Sequence, residues 1–308
     1  MRRSVDGGAT WTPTRFLVND PLTTTDGLNL GASVFDERTG KVFVHYGVCG
    51  HSCAVGATFV LSSTDRGLTW ATQNITTAVA GAGWKMINAG PGTGVQLPST
   101  GRLAVAVWGE LQSNPSHFRA GALLSDDGGN TWRMSKPVPA DSSHEPNECQ
   151  LAIQSNGSLL MNVRDALDES GCRCRVMTRS DDGGGTWTEL WRKPDLTGPI
   201  CQGSMIRAGD ALVYSAPQSL EGRSDGYIKA SLDDGETWWI KSARLDDPKK
   251  PGFGYSGLVD VGGGAASEDG TATTTTRTLG VVYEPAAGHD GVTFKLVQID
   301  FADLVQRD

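Results

Sequence analysis

Apolar and polar residues trade places along this chain in short runs of period two, the pattern of strands that bury one face. Lys41-Val42-Phe43-Val44-His45-Tyr46 and Arg102-Leu103-Ala104-Val105-Ala106-Val107-Trp108 read as strands, and two more are predicted near residues 277–283 and 292–299. Few stretches carry helical periodicity. One turn punctuates these runs and occurs five times. It is Ser4-Val5-Asp6-Gly7-Gly8-Ala9-Thr10-Trp11, and it returns at residues 63–70, 125–132, 180–187 and 231–238 on the pattern Ser-x-Asp-x-Gly-x-Thr-Trp.

Each position of the repeat has work to do in a β-hairpin. The Asp can accept hydrogen bonds from backbone N–H groups of its own turn, the Gly permits a positive φ, and the Trp folds back as an apolar cap on the next strand. Successive copies start 59, 62, 55 and 51 residues apart, room for four short strands with their loops. That is the size of one propeller blade. About seventy residues follow the fifth copy, enough for one more blade without the turn. The predicted fold is therefore all-β, a six-bladed β-propeller of four-stranded antiparallel blades, with residues 1–308 as a single domain.

Composition narrows the function. The 27 Lys and Arg residues against 35 Asp and Glu leave a net charge of −8, which argues against a nucleic-acid partner, since that would need a basic face. Gly occupies 40 positions, in keeping with many tight turns. No apolar run reaches the length of a membrane-spanning helix. No apolar stretch of the signal-peptide kind opens the chain. The six cysteines Cys49, Cys53, Cys149, Cys172, Cys174 and Cys201, with sequons at Asn74-Ile75-Thr76 and Asn156-Gly157-Ser158, lean toward an oxidising, glycosylating compartment. Their spacings lack the paired Cys-x-x-Cys of structural zinc, and the five histidines form no His-Glu-x-x-His helix, so no metal site is expected. No phosphate-binding glycine loop occurs either, and Gly262-Gly263-Gly264 reads as a flexible hairpin loop.

Chemistry can be sought outside the repeats in four segments. These are His144-Glu145-Pro146-Asn147-Glu148-Cys149-Gln150, followed sixteen residues after Glu148 by Arg164; Ser215-Ala216-Pro217-Gln218-Ser219-Leu220-Glu221-Gly222-Arg223; Gly252-Phe253-Gly254-Tyr255-Ser256-Gly257-Leu258; and Val281-Val282-Tyr283-Glu284. The repeated turn resembles the Asp-box of sialidases, a structural motif to which no catalysis is assigned. Asn147-Glu148-Cys149-Gln150 with Asn162-Val163-Arg164 downstream, Cys172-Arg173-Cys174-Arg175, Gly254-Tyr255-Ser256 and Val282-Tyr283-Glu284 together resemble the lysosomal-type sialidase (neuraminidase) family in order and spacing. The stretch Asp26-Gly27-Leu28-Asn29-Leu30-Gly31-Ala32 and the loop Gly90-Pro91-Gly92-Thr93-Gly94-Val95 are similar too, so the likeness runs along essentially the whole chain.

The resemblance implies an exo-α-sialidase that removes terminal sialic acids from glycoproteins, oligosaccharides or gangliosides without a cofactor. Its partner is a sialylated glycoconjugate; a carrier or protective protein is compatible with it, and its setting is the lysosome or the secreted space. A sialic acid carries a carboxylate on its anomeric carbon, so an anionic Asp or Glu nucleophile would be repelled where it must attack. A neutral tyrosine avoids this but needs a base, because its free pKa lies near 10. By resemblance Tyr255 is the nucleophile and Glu148 its base, giving a covalent glycosyl-enzyme and retention. Arg164 and Arg223 match two of three arginines that grip the substrate carboxylate. Glu284 matches the acidic residue that orients the first of the three, and Asp26 matches a pocket aspartate.

One departure stands out. The first arginine belongs to an upstream Phe-Arg-Ile-Pro segment that residues 1–308 do not contain, and the acid/base aspartate expected shortly after it is absent as well. In Asp-box propellers the box joins the third and fourth strands of a blade, so a first box at Ser4 implies a first blade incomplete at the N-terminus, and a chain less stable alone than when extended upstream. The expectation is a sialidase whose activity in this chain is weak or absent. The alternatives are a sialidase-like propeller that binds sialylated glycans without cleaving them and, less in keeping with the five site residues, a structural propeller for protein contacts.

Overall fold

A computed structural model describes residues 1–18, 28, 31–48, 56–168, 170–263, 276–285 and 291–301. In chain order the elements are β1 (Ala32–Asp36), β2 (Lys41–Val48), β3 (Ala57–Ser63), β4 (Ala71–Asn74), the short helix α1 (Thr76–Gly81), β5 (Trp84–Ala89), β6 (Gly92–Thr93), β7 (Val95–Gln96), β8 (Leu103–Leu111), β9 (Asn114–Ser125) and β10 (Arg133–Met134). There follow β11 (Pro146–Ile153), β12 (Leu159–Asp165), β13 (Cys174–Ser180), β14 (Trp191–Thr197), β15 (Ser204–Ala208), β16 (Ala211–Pro217), β17 (Gly226–Ser231), β18 (Trp239–Ile240), β19 (Ser256–Gly263), β20 (Thr276–Tyr283) and β21 (Thr293–Asp300). All four strands predicted from the sequence are present.

These strands form five sheets among the described residues, each a meander in which consecutive strands pair antiparallel: β1 to β4 with β6 added beside β1, β5-β8-β9-β10 with β7 on β8, β11 to β14, β15 to β18, and β19 to β21. The turns at 63–70, 125–132, 180–187 and 231–238 each follow the third strand of such a meander and lead into the fourth, as anticipated. The first copy lies in an N-terminal hairpin, where Thr12 N–H donates to the Arg3 carbonyl at 2.8 Å and Arg15 N–H to that of Met1 at 2.9 Å. Trp11 of this hairpin packs edge-on against Phe294 of β21, ring centroids 5.0 Å apart.

The boxes are nearly superimposable in their bonding. In every copy the Ser Oγ donates to the Asp carboxylate and accepts the Gly N–H, and the Thr N–H donates to the same carboxylate at 2.8–2.9 Å. The box Gly has φ between 80° and 98°, the left-handed region a side chain disfavours. The Trp indole N–H reaches back to the box Gly carbonyl in four copies, whereas Trp187 donates to Ser135 Oγ at 3.3 Å.

Two sequence readings change. Gly262 and Gly263, expected in a hairpin loop, belong to the end of β19, where Gly263 pairs with Arg277, and Gly264 lies outside the described residues. Gly92–Thr93, read as part of a loop, pairs in parallel with Ala32 and Ser33.

The Cα packing falls into two compact units, Met1–Phe16 with Asp195–Asp308, and Leu17–Pro194. Within the second unit β8 separates two apolar clusters: Leu103, Val105 and Val107 face one, Ala104, Ala106 and Trp108 the other. A strand buried on both faces has no polar side, which is why 103–108 is an unbroken apolar run. The core of the first unit gathers Val213, Ile228, Phe253, Leu258, Leu279, Val281 and Tyr283.

Candidate active site

In the Leu17–Pro194 unit, β11 and β12 form a hairpin whose register slips between Pro146, opposite Asp165, and Cys149, opposite Val163. The slip is a bulge, and a bulge re-aims the side chains it carries. It leaves Glu148 beside Arg164, whose Nη1 donates to Glu148 Oε2 at 2.7 Å. The Glu148 side chain is 5% exposed and that of Arg164 19%, so the pair is screened from bulk water. Behind it Arg175 Nε donates to Asn162 Oδ1 at 2.6 Å, with both residues buried. Cys172 and Cys174, just before Arg175, are joined by a disulfide. Cys149 is buried and its Sγ donates to the Val107 carbonyl at 3.3 Å; burial pushes its pKa up, so it is a packing residue and not a nucleophile.

In the other unit three further candidates of the sequence reading cluster. Arg223 places its guanidinium carbon 5.3 Å from the centroid of the Tyr255 ring. Tyr255 N–H donates to Glu284 Oε2 at 3.1 Å, and its carbonyl accepts from Glu284 N–H at 2.9 Å. Gly254 N–H donates to the Glu284 carbonyl at 2.8 Å, and a Cβ on Gly254 would stand 2.6 Å from Glu284 Oε2, so only glycine lets the carboxylate come this close. Phe253 N–H donates to the Arg223 carbonyl at 2.8 Å, and its ring stacks on Tyr283 with centroids 4.6 Å apart, anchoring the segment to the core. A guanidinium thus lies over the Tyr255 ring while a carboxylate holds the Tyr255 backbone. Glu284, matched by resemblance to an arginine-orienting acid, here holds the backbone of Tyr255.

The structure also brings in Gln202 and Ser204, which the sequence did not single out. Gln202 Oε1 accepts Ser256 N–H at 2.9 Å while its Nε2 donates to the Ser256 carbonyl at 3.0 Å. Ser256 Oγ lies 2.8 Å from Ser215 Oγ, and Ser204 Oγ accepts Leu258 N–H at 3.0 Å. No spacing rule marks Gln202, because its partner lies 54 residues away in another sheet. Asp26, Cys49 and Cys53 lie outside the described residues.

The box aspartates have a different character. The Asp6 and Asp65 carboxyls are held down to about 2, by the hydroxyl of the box threonine first, then its N–H, then the box serine hydroxyl. Acids kept ionised by their own turn are staples, not proton donors. Among the described residues no three His, Cys, Asp or Glu side chains converge as metal ligands would.

The model of the BNR repeat-like domain family matches residues 1–267. The chain belongs to the BNR-repeat sialidase family. A sialidase of Micromonospora viridifaciens is 31% identical over 326 residues, covering 96% of this chain and 46% of its own length. A solved Hadza microbial sialidase, Hz136, superposes with a TM-score of 0.77 at 28% identity, over 96% of this chain and 58% of that one. Trypanosoma rangeli sialidase, solved with 2,3-difluorosialic acid as a covalent intermediate, shares the fold with a TM-score of 0.68 at 16% identity, over 99% of this chain and 49% of that one. The chain spans about half the length of the curated relatives it matches. Its architecture is the β-propeller of the sialidases, and the described residues form five sheets.

Proposed function

We propose that this sialidase-family chain carries the core of an exo-α-sialidase that hydrolyses terminal sialic acids from glycoproteins, oligosaccharides and gangliosides with retention of configuration. Tyr255 attacks the anomeric carbon, Glu148 takes its proton, and Arg164 and Arg223 hold the substrate carboxylate. Glu284 and Asp26 support them. The observation that carries the reading is the Arg223–Tyr255–Glu284 cluster, in which a neutral nucleophile stands beside a guanidinium able to bind the substrate's anionic group. The Glu148–Arg164 pair supplies a carboxylate and a second fork. A lysosomal or secreted setting is part of the proposal, and the Cys172–Cys174 disulfide supports it.

Residues 1–308 contain no Phe-Arg-Ile-Pro segment and hence no match to a first arginine or to the acid/base aspartate. On a substrate whose leaving group needs protonation, loss of a general acid costs about a hundredfold to ten-thousandfold. That observation favours a second reading for residues 1–308 alone, binding of sialylated glycans with little cleavage. The deciding experiment measures release of 4-methylumbelliferone from its α-sialoside by residues 1–308 and by the chain extended upstream, each with and without Tyr255→Phe. The enzyme reading expects turnover in the extended chain that falls roughly a thousandfold in Tyr255→Phe. Saturable sialoside binding without release from either chain would leave the second reading standing.

A further inference from the structure

We infer that Gln202 is a positioning residue for Tyr255, an assignment that rests on Tyr255 being the nucleophile. The argument starts from topology. Gln202 and Ser204 lead into and begin β15, and Tyr255 and Ser256 lead into and begin β19, but β15 and β19 belong to different sheets and share no backbone ladder. Two strands that begin different sheets leave backbone N–H and C=O groups facing each other without partners, and such groups must find side chains or water. Residues two apart in an extended segment point the same way. Gln202 and Ser204 therefore both reach β19, the first clamping Ser256 at its N–H (2.9 Å) and carbonyl (3.0 Å), the second accepting Leu258 N–H at 3.0 Å.

The Gln202 amide thus imitates a neighbouring strand at a single residue. The Ser256 N–H belongs to the peptide unit formed with the Tyr255 carbonyl, and that carbonyl is held from the other side by Glu284 N–H at 2.9 Å. Tyr255 N–H is held in turn by Glu284 Oε2 at 3.1 Å. Gln202 on one flank and Glu284 on the other fix the backbone that carries the phenol. Gln202 and Ser256 are buried, at 1% and 7% exposure, so these bonds do not compete with bulk water. An in-line attack tolerates little misplacement of the attacking atom, and a displacement of about 1 Å can cost on the order of a hundredfold in rate.

The test uses 2,3-difluorosialic acid as the probe. As Tyr255 Oη bonds to the anomeric carbon, the carbon–fluorine bond breaks, fluoride leaves with the electron pair, and the phenol proton passes to Glu148. Fluoride needs little help from an acid, so the labelling step reports attack alone, and the labelled peptide is located by mass spectrometry in the full chain. Gln202→Met keeps the side-chain volume and removes both hydrogen bonds; Ser204→Ala removes the analogous bond two residues away. The expected result is labelling of Tyr255 in the unmodified protein, a saturating rate at least tenfold lower in Gln202→Met with half-saturation within twofold, and an unchanged rate in Ser204→Ala. Where Gln202→Met does not accumulate folded, Gln202→Glu, which retains the acceptor for Ser256 N–H, should show a smaller loss of the same kind. Labelling of Tyr255 at an undiminished rate in the folded Gln202 variant would overturn the positioning role while sparing the nucleophile. Equal losses in the Gln202 variant and in Ser204→Ala would also overturn it, as a general weakening of β19. A label on another residue, or none in the unmodified protein, would remove the Tyr255 assignment and this inference with it.

Discussion

At the scale of single residues, the candidate site is built from groups fixed by partners and not by burial alone. Arg164 is bonded to a carboxylate that is nearly inaccessible to water. Replacing it by Met leaves that charge buried without its guanidinium, and removal of one member of a buried pair costs about 3 kcal/mol or more. Urea denaturation of Arg164→Met should show a loss of that order, and a change below about 0.5 kcal/mol would mean that the pair is effectively hydrated. His45 makes a separate prediction. It is enclosed in β2 with its ring 4.3 Å from that of Trp132, and burial lowers its pKa from 6.5 to about 3. Below pH 6.5 the unfolded chain binds a proton that the folded chain refuses. Folding stability therefore falls by about 1.4 kcal/mol per pH unit from 6.5 down toward 3 and is unaffected above 6.5. The box aspartates work in another window, since a depressed carboxyl stabilises above its ordinary value of 3.8 and loses that effect only as pH falls toward 2. The melting temperature should thus fall between pH 7 and pH 4.5 in the native chain and fall less in His45→Leu.

At the scale of elements, the five turns were legible because every bond that shapes them lies within eight residues of sequence. What the repeat did not reveal is the use each turn makes of its neighbours. Gly129 has φ +80°, and a Cβ there would stand 2.3 Å from the Phe43 ring on β2. Gly40 has φ +70° with open space around it. Gly40→Ala should cost only the left-handed penalty of about 1 kcal/mol. Gly129→Ala adds overpacking and should lose about 3 kcal/mol. Equal losses by denaturant titration would show that Phe43 moves aside freely. The β11–β12 hairpin sits between these cases. The sixteen residues from Glu148 to Arg164 matched a family spacing without saying that the two share a hairpin, and the bulge that turns their side chains toward each other left no mark in the pattern of polar positions.

At the scale of the whole molecule, the two compact units divide the candidate residues, with Glu148 and Arg164 in one and Arg223, Tyr255 and Glu284 in the other. His45 lies in the Leu17–Pro194 unit, so the acid sensitivity it confers should be local if the units open separately. Hydrogen exchange at pH 5 against pH 7 is expected to rise in β1 to β3 and β9 while β16, β17 and β20 stay protected; a uniform rise would mean that the units unfold as one. The same division sets the limit of sequence reading. Turn chemistry, strand period and the all-β repeat were determined by the chain itself, because the Asp, Gly and Trp of each box act on atoms a few bonds away and alternation is a local property. The resemblance of short motifs named Tyr255, Glu148, Arg164, Arg223 and Glu284 without saying what any of them touches. Only tertiary structure set Glu284 against the backbone of Tyr255, 29 residues away, and Gln202 against Ser256, 54 residues away. The physical reason is that these bonds join segments brought together by the packing of whole sheets, whose apolar faces are interchangeable in composition and carry no code for which polar group they will carry into contact.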